Sequence, residues 1–104
     1  MRTSKRKKLT DAGWQVGDAT DFLGLSPEEQ AYIELRLKLA DGLKARRSRK
    51  NLTQVELARS LGSSQSRVAK MEAGDPSVSV DLLVRSLIAL GADSRDIAKI
   101  IAAR

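Results

Sequence analysis

The sequence predicts an all-α fold of five helices preceded by an N-terminal extension. Three observations carry this. Apolar residues recur at helical spacing from residue 27 onward, in segments opened by Ser, Thr or Asp and closed by Gly or Asn. Alternation of the kind a strand needs is confined to residues 14–16. The only aromatic residues, Trp14, Phe22 and Tyr32, all lie in the first third, so the remaining core must be Leu, Ile, Val and Ala, which suits helices packed on helices.

Taken in order, residues 1–25 form a basic tail and short extension, and residues 26–104 a helical domain. The tail, Met1 to Lys8, is expected to be a solvated end. Residues 7–12 are expected to form a short helix stopped by Gly13, and Trp14-Gln15-Val16 to run extended with Trp14 packed on the domain. Asp18 then caps a helix with Asp21 in its first turn, ended by Gly24, with Phe22, Leu23 and Leu25 buried.

Ser26-Pro27-Glu28-Glu29 is a helix start: Ser26 caps, Pro27 takes the first position, where a missing N–H costs nothing, and Glu29 completes a capping box. This helix is expected to reach about Lys50. Its apolar residues, Tyr32, Ile33, Leu35, Leu37, Leu39, Ala40 and Leu43, cover about half the circumference, more than the ~100° stripe of a surface helix. Its first half should therefore pack both on the C-terminal domain and on the N-terminal segment or a second subunit. Gly42 is its weak point and the expected site of a kink. Its last turns, Lys44 to Lys50, are the densest basic run in the chain, favourable at a helix C-terminus and also suited to phosphate.

Asn51 suits a left-handed cap, and Leu52 turns inward. Thr53 and Glu56 form a capping box for a helix carrying Val55, Leu57, Ala58 and Leu61, closed by Gly62. Ser63 or Ser64 caps the next helix, Gln65 to Ala73, with Val68 and Met71 inward and Gly74 at its end. Asp75 to Val78 is a loop, since Pro76 restricts Asp75. Ser79 with Asp81 starts a fourth helix carrying Leu82, Leu83, Leu87, Ile88 and Leu90, ended by Gly91. Asp93 or Ser94 starts the last, with Ile97, Ile100 and Ile101 on one face.

Residues 53–73 read as a helix-turn-helix. Ala58 faces the crossing, where a larger side chain would push the second helix away. Gly62 takes the positive φ that lets the chain reverse within three residues, and Val68 anchors the second helix. That second helix projects Gln65, Ser66 and Lys70 outward, as a helix reading bases in the major groove must. Glutamine can bond bidentately to adenine N6 and N7, and Ser and Lys reach bases or phosphates. Gln54, at the preceding helix N-terminus, is placed to meet phosphate. Ser64, Arg67, Arg46, Arg49 and Lys50 complete the expected phosphate contacts.

The formal charge of +6 and pI of about 10.1 favour a polyanionic partner. The chain has no Cys and no His, which removes the usual zinc frameworks, thiol nucleophiles, disulfides and the commonest general base. Neither catalytic residues nor a cofactor or metal site are expected, and no enzyme. No apolar run approaches the ~20 residues of a membrane span, and Met1 to Lys8 is followed by no signal-peptide core, so a bacterial cytoplasmic, nucleoid-associated setting is expected.

Residues 43–101, through LKARRSRKNLTQVELARSLG, SSQSRVAKMEAG and SVDLLVRSLIALGA, resemble the Xre/Cro helix-turn-helix proteins with their five-helix, lambda-repressor-like fold. The resemblance implies a backbone-clamping role for Gln54, base reading by Gln65, Ser66 and Lys70, and a partly buried pair between Arg47 and Glu72. Relatives with basic residues after the recognition helix grip phosphate there. In this chain Asp75-Pro76-Ser77 shifts that grip toward Gln54 and the Arg46–Lys50 side. The whole chain is similar to HigA-like antitoxins, which implies a homodimeric repressor of its own operon, bound to an inverted-repeat operator, that neutralises a ribonuclease toxin. The alternative from a different class is an interaction module binding a partner protein through residues 1–42, where all three aromatics lie. For the dimer surface, the last helix from Arg95 to Ala103 and the exposed side of Tyr32–Leu39 are the two candidates.

Overall fold

A computed structural model describes residues 24–103. The expectations for residues 1–23, including the short helices, the extended stretch and the burial of Trp14, Phe22 and Leu23, lie outside the described residues. Among the described residues there are five helices and no strand: α1 (Pro27–Arg49), α2 (Gln54–Leu61), α3 (Gln65–Ala73), α4 (Val80–Ala89) and α5 (Ser94–Ala102). None of them is long and apolar enough to cross a membrane. The chain divides into two compact units between Glu34 and Leu35, within α1.

In the first unit α1 opens as its residues dictate. The Glu29 N–H donates to Ser26 Oγ at 3.1 Å and the Ser26 N–H to Glu29 Oε1 at 3.0 Å, a reciprocal box that satisfies two otherwise orphaned donors. Leu25, Tyr32 and Ile33 line a shallow groove with Glu28 and Glu29. Tyr32 is 47% exposed.

In the second unit the core is aliphatic. Leu39 and Leu43 of α1, Leu57 of α2, Val68 and Met71 of α3, and Leu83 and Leu87 of α4 are all at most 1% exposed. Asn51 adopts φ 57, the only positive φ among the described non-glycine residues, and the Leu52 N–H returns to the Arg47 carbonyl at 3.2 Å, closing the end of α1. Ser79 caps α4 through the Leu82 N–H, and Asp93 caps α5 in a box with Asp96.

Gly42 lies inside continuous helix and serves a close approach. A methyl group built there would sit 2.7 Å from Ile100 Cδ1 and 2.8 Å from its Cγ2. The glycine thus lets α5 settle directly on α1. Arg46 and Asp96 pair at 3.1 Å between the same two helices, and Lys38 Nζ donates to the Ile101 carbonyl at 3.2 Å.

Five residues counted as apolar facing positions are solvent-exposed: Tyr32, Leu37, Val55, Ile88 and Ile101. For Val55, Ile88 and Ile101 the physical reason is helix length. Helices of 8 to 10 residues, such as α2, α4 and α5, make two to three turns and bury one narrow face. Val55 lies off that face at the start of α2, and Ile101 lies in the last turn of α5, while Ile97 and Ile100 pack against the core.

Candidate nucleic-acid interface

The α2–turn–α3 unit is assembled from local contacts. The Glu56 N–H donates to Thr53 Oγ1 at 3.0 Å and the Thr53 N–H to Glu56 Oε1 at 2.8 Å. That Thr53 backbone donor, helped by the hydroxyl, holds the Glu56 carboxyl below its ordinary value, so the box is ionised at neutral pH. Gly62 ends α2 with φ 66 and ψ 36, and the Ser63 N–H returns to the Ala58 carbonyl at 2.8 Å. Ser64, rather than Ser63, caps α3, its Oγ accepting from the Arg67 N–H at 3.2 Å. Ala58 and Val68 are buried where the two helices meet, at 3% and 0% exposure. A small residue and a branched anchor are what a tight crossing needs.

The far end of α3 rests on α1. Gly74 takes φ 70, and a methyl group built on it would meet Leu37 Cδ2 at 2.5 Å. Arg36, buried, donates from Nε to the Gly74 carbonyl at 3.2 Å, offsetting the negative end of the α3 dipole. Asp75 follows, its Oδ1 accepting the Ser77 N–H at 2.8 Å. Hydrogen bonds from Ser77, with the charges of Lys70 and Arg36, hold its carboxyl below the usual range, so the loop after α3 is negative at neutral pH.

Behind α3 runs a chain of hydrogen bonds joining four side chains. Arg47 pairs with Glu72 through Nε and Nη2, the latter 3.0 Å from Oε1, and its Nη1 donates to the Leu52 carbonyl at 2.7 Å. The hydrogen bond to Glu72 raises the Arg47 pKa, so the guanidinium stays charged throughout the accessible range. Gln54 Nε2 donates to Glu72 Oε1 at 3.0 Å, and Gln65 Nε2 donates to Gln54 Oε1 at 2.7 Å. The Arg47–Glu72 pair is thus present, and it extends to the first outward residue of α3. Sequence reasoning missed this extension. Two glutamines eleven residues apart carry no signal until the angle between α2 and α3 is known.

Gln65, Ser66, Arg67 and Lys70 are exposed on α3. Ser64 Oγ lies 3.3 Å from Ser66 Oγ as well as capping the helix. Arg49 and Lys50 are exposed at the end of α1. Arg46, expected as a phosphate contact, has a side chain 18% exposed and paired with Asp96 on α5. Gln54 opens α2, as expected. It is half-buried, with both ends of its amide engaged by Glu72 and Gln65.

A family model described as a helix-turn-helix domain matches residues 38–99, more than half of the chain. No curated protein and no solved structure matches it.

Proposed function

The chain belongs to the helix-turn-helix domain family and is a DNA-binding protein, and on that premise we propose that it is a sequence-specific repressor that binds an inverted-repeat operator as a homodimer. Residues 26–104 are the DNA-binding domain and residues 1–25 its extension. Gln65, Ser66 and Lys70 read bases. The α2 N-terminus at Gln54, with Ser64, Arg67, Arg49 and Lys50, holds phosphates.

The observation that carries this reading is the polarity of the chain behind α3. Arg47 only donates, and both Glu72 carboxyl oxygens accept from it. Gln54 must therefore turn its NH2 toward Glu72 and its carbonyl toward Gln65. Gln65 must in turn give one N–H to Gln54. What it has left is a carbonyl oxygen and a second N–H. In the major groove that pair matches adenine, which offers N6–H2 as donor and N7 as acceptor. Guanine, with two acceptors, leaves the carbonyl opposed. The orientation of both amides follows from the charged end of the chain.

The test is binding of the purified protein to its own upstream DNA, with each base pair of a half-site varied. Gln65→Ala is expected to cost ~1–3 kcal/mol and to relax discrimination at one A·T pair. Affinity is expected to fall steeply with salt, with a slope set by the phosphates neutralised, and Arg49→Ala or Lys50→Ala to reduce that slope. Equal binding to any sequence, unchanged by Gln65→Ala, would refute specific readout.

A second reading is favoured by the apolar groove around exposed Tyr32. Here the repressor is an antitoxin-type autoregulator whose residues 1–42 also bind a toxin protein. Co-purification with the adjacent gene's product tests it. A truncation starting near Glu28 that still retained the partner would overturn that mapping.

A further inference from the structure

We propose that the outward face of α4 is the surface through which two copies of this chain pair, antiparallel, about a two-fold axis passing by Val84. The inference rests on the homodimeric reading above and assigns it a surface. Neither of the two dimer surfaces expected from the sequence includes α4.

The face combines an apolar stripe and a charge pattern. Val80, Val84 and Ile88 follow one another at spacings of four along one side of the helix; Val80 and Val84 rest partly on the core, and Ile88 stands clear of it. Ile88 is 56% exposed, the most exposed large apolar residue of the chain's described part. Alongside runs a single acid and a single base, Asp81 and Arg85, paired with each other at 2.9 Å while their side chains remain 73% and 76% exposed. The residues around Asp81, Arg85 and Ile88 bound an open groove along the helix.

The occupant follows from self-complementarity. A two-fold axis by Val84 sets the residue n positions before it opposite the residue n positions after it in the other copy. Val84 then meets its own mate, and Val80 meets Ile88 twice over. The same operation brings the two charged flanks side by side. Arg85 of one copy and Asp81 of the other are offset by two residues, about 3 Å along the axis, well within the reach of an arginine. The ion pair within each helix exchanges for a reciprocal pair between helices, two for two across the dimer, and these flank the valine–isoleucine contact. An unrelated partner would not be required to carry the charge pattern in reverse; a second copy carries it by construction.

The experiment uses the full chain and measures its dimer dissociation constant by sedimentation equilibrium, with circular dichroism melts confirming that each variant is folded. Ile88→Asp is expected to raise that constant at least ~10-fold, as burial of an uncompensated charge within the apolar part of an interface does. Asp81→Arg and Arg85→Asp are each expected to dissociate alone, since each sets like charges together across the axis. Mixed one to one, they are expected to pair again as a heterodimer. A role confined to the helix itself could not be restored by mixing two chains. A wild-type dimer left intact by all three substitutions would overturn the assignment of α4 while leaving the homodimer standing. A wild-type chain that stays monomeric both free and on its operator would remove the homodimeric reading itself, and this surface with it.

Discussion

Gly62 and Gly74 share a left-handed conformation, with φ of 66 and 70, and are held to glycine by different amounts. Around Gly62 a side chain would meet nothing within 4 Å, so only the backbone preference opposes it. Gly62→Ala is expected to cost about 1 kcal/mol in denaturant unfolding. At Gly74 the same penalty is joined by a contact with Cδ2 of the half-exposed Leu37, which must turn aside, and Gly74→Ala is expected to cost about 0.5–1 kcal/mol more. Equal losses at the two positions would contradict the seating of α3 on α1. Glu72 makes the other residue-scale argument. It is buried behind α3, yet it fixes Gln54 and through it Gln65. Glu72→Gln replaces one acceptor oxygen by a donor facing Arg47 or Gln54. It is expected to destabilise the fold by about 1–3 kcal/mol. At temperatures where the variant is still folded, it should also blunt the base preference at the position read by Gln65. Retention of full discrimination would show that the amide is oriented by DNA alone.

At the scale of the element, the caps and the crossings behave differently. Ser26, Thr53, Ser64, Ser79 and Asp93 each begin a helix through a hydrogen bond to a residue three positions on. Such bonds are closed within one turn, so the sequence exposes them directly. The crossing of α1 and α5 is not local. Gly42 reads as helix weakness in the chain and proves to be the floor under Ile100. Gly42→Ala gains about 1 kcal/mol of helix propensity and loses about 1–3 kcal/mol to overpacking, so net destabilisation is expected. The loss should shrink in thermal melts when Gly42→Ala is made in an Ile100→Ala background, which lacks all three crowded atoms. If Gly42→Ala stabilised the protein, the close approach would be wrong.

Across the whole molecule, acid should be the condition that unfolds it. The carboxyls of Glu56, Asp75 and Asp96 are all held below their ordinary values, chiefly by hydrogen bonds from Thr53, Ser77 and Asp93 respectively, with Arg46 adding attraction at Asp96. A carboxylate whose folded pKa lies below its unfolded one binds protons more readily once the chain opens. The stability it contributes is therefore complete above the ordinary carboxylate range and is lost as pH falls through the depressed values. With no histidine in the chain, no step is expected near pH 6.5. The melting temperature should be level from about pH 8 to pH 5 and fall below about pH 4. A melting temperature that rose on acidification would contradict the assigned hydrogen bonds.

By itself, the sequence determined where the helices begin and end from residue 26 onward, and the helix-turn-helix spacing of Ala58, Gly62 and Val68. Periodicity, caps and turn residues act over three or four positions, and nothing distant overrode them here. Tertiary structure alone decided which of two plausible partners each polar side chain takes. It drew Arg46 onto Asp96 and away from the basic run at the end of α1. It joined Gln54 to both Glu72 and Gln65, across separations of 18 and 11 residues. It also left Ile88 in solvent, although spacing alone ranks it with Leu87. These outcomes depend on the angles at which short helices cross, and an angle is a property of two packed surfaces that neither stretch of sequence carries alone.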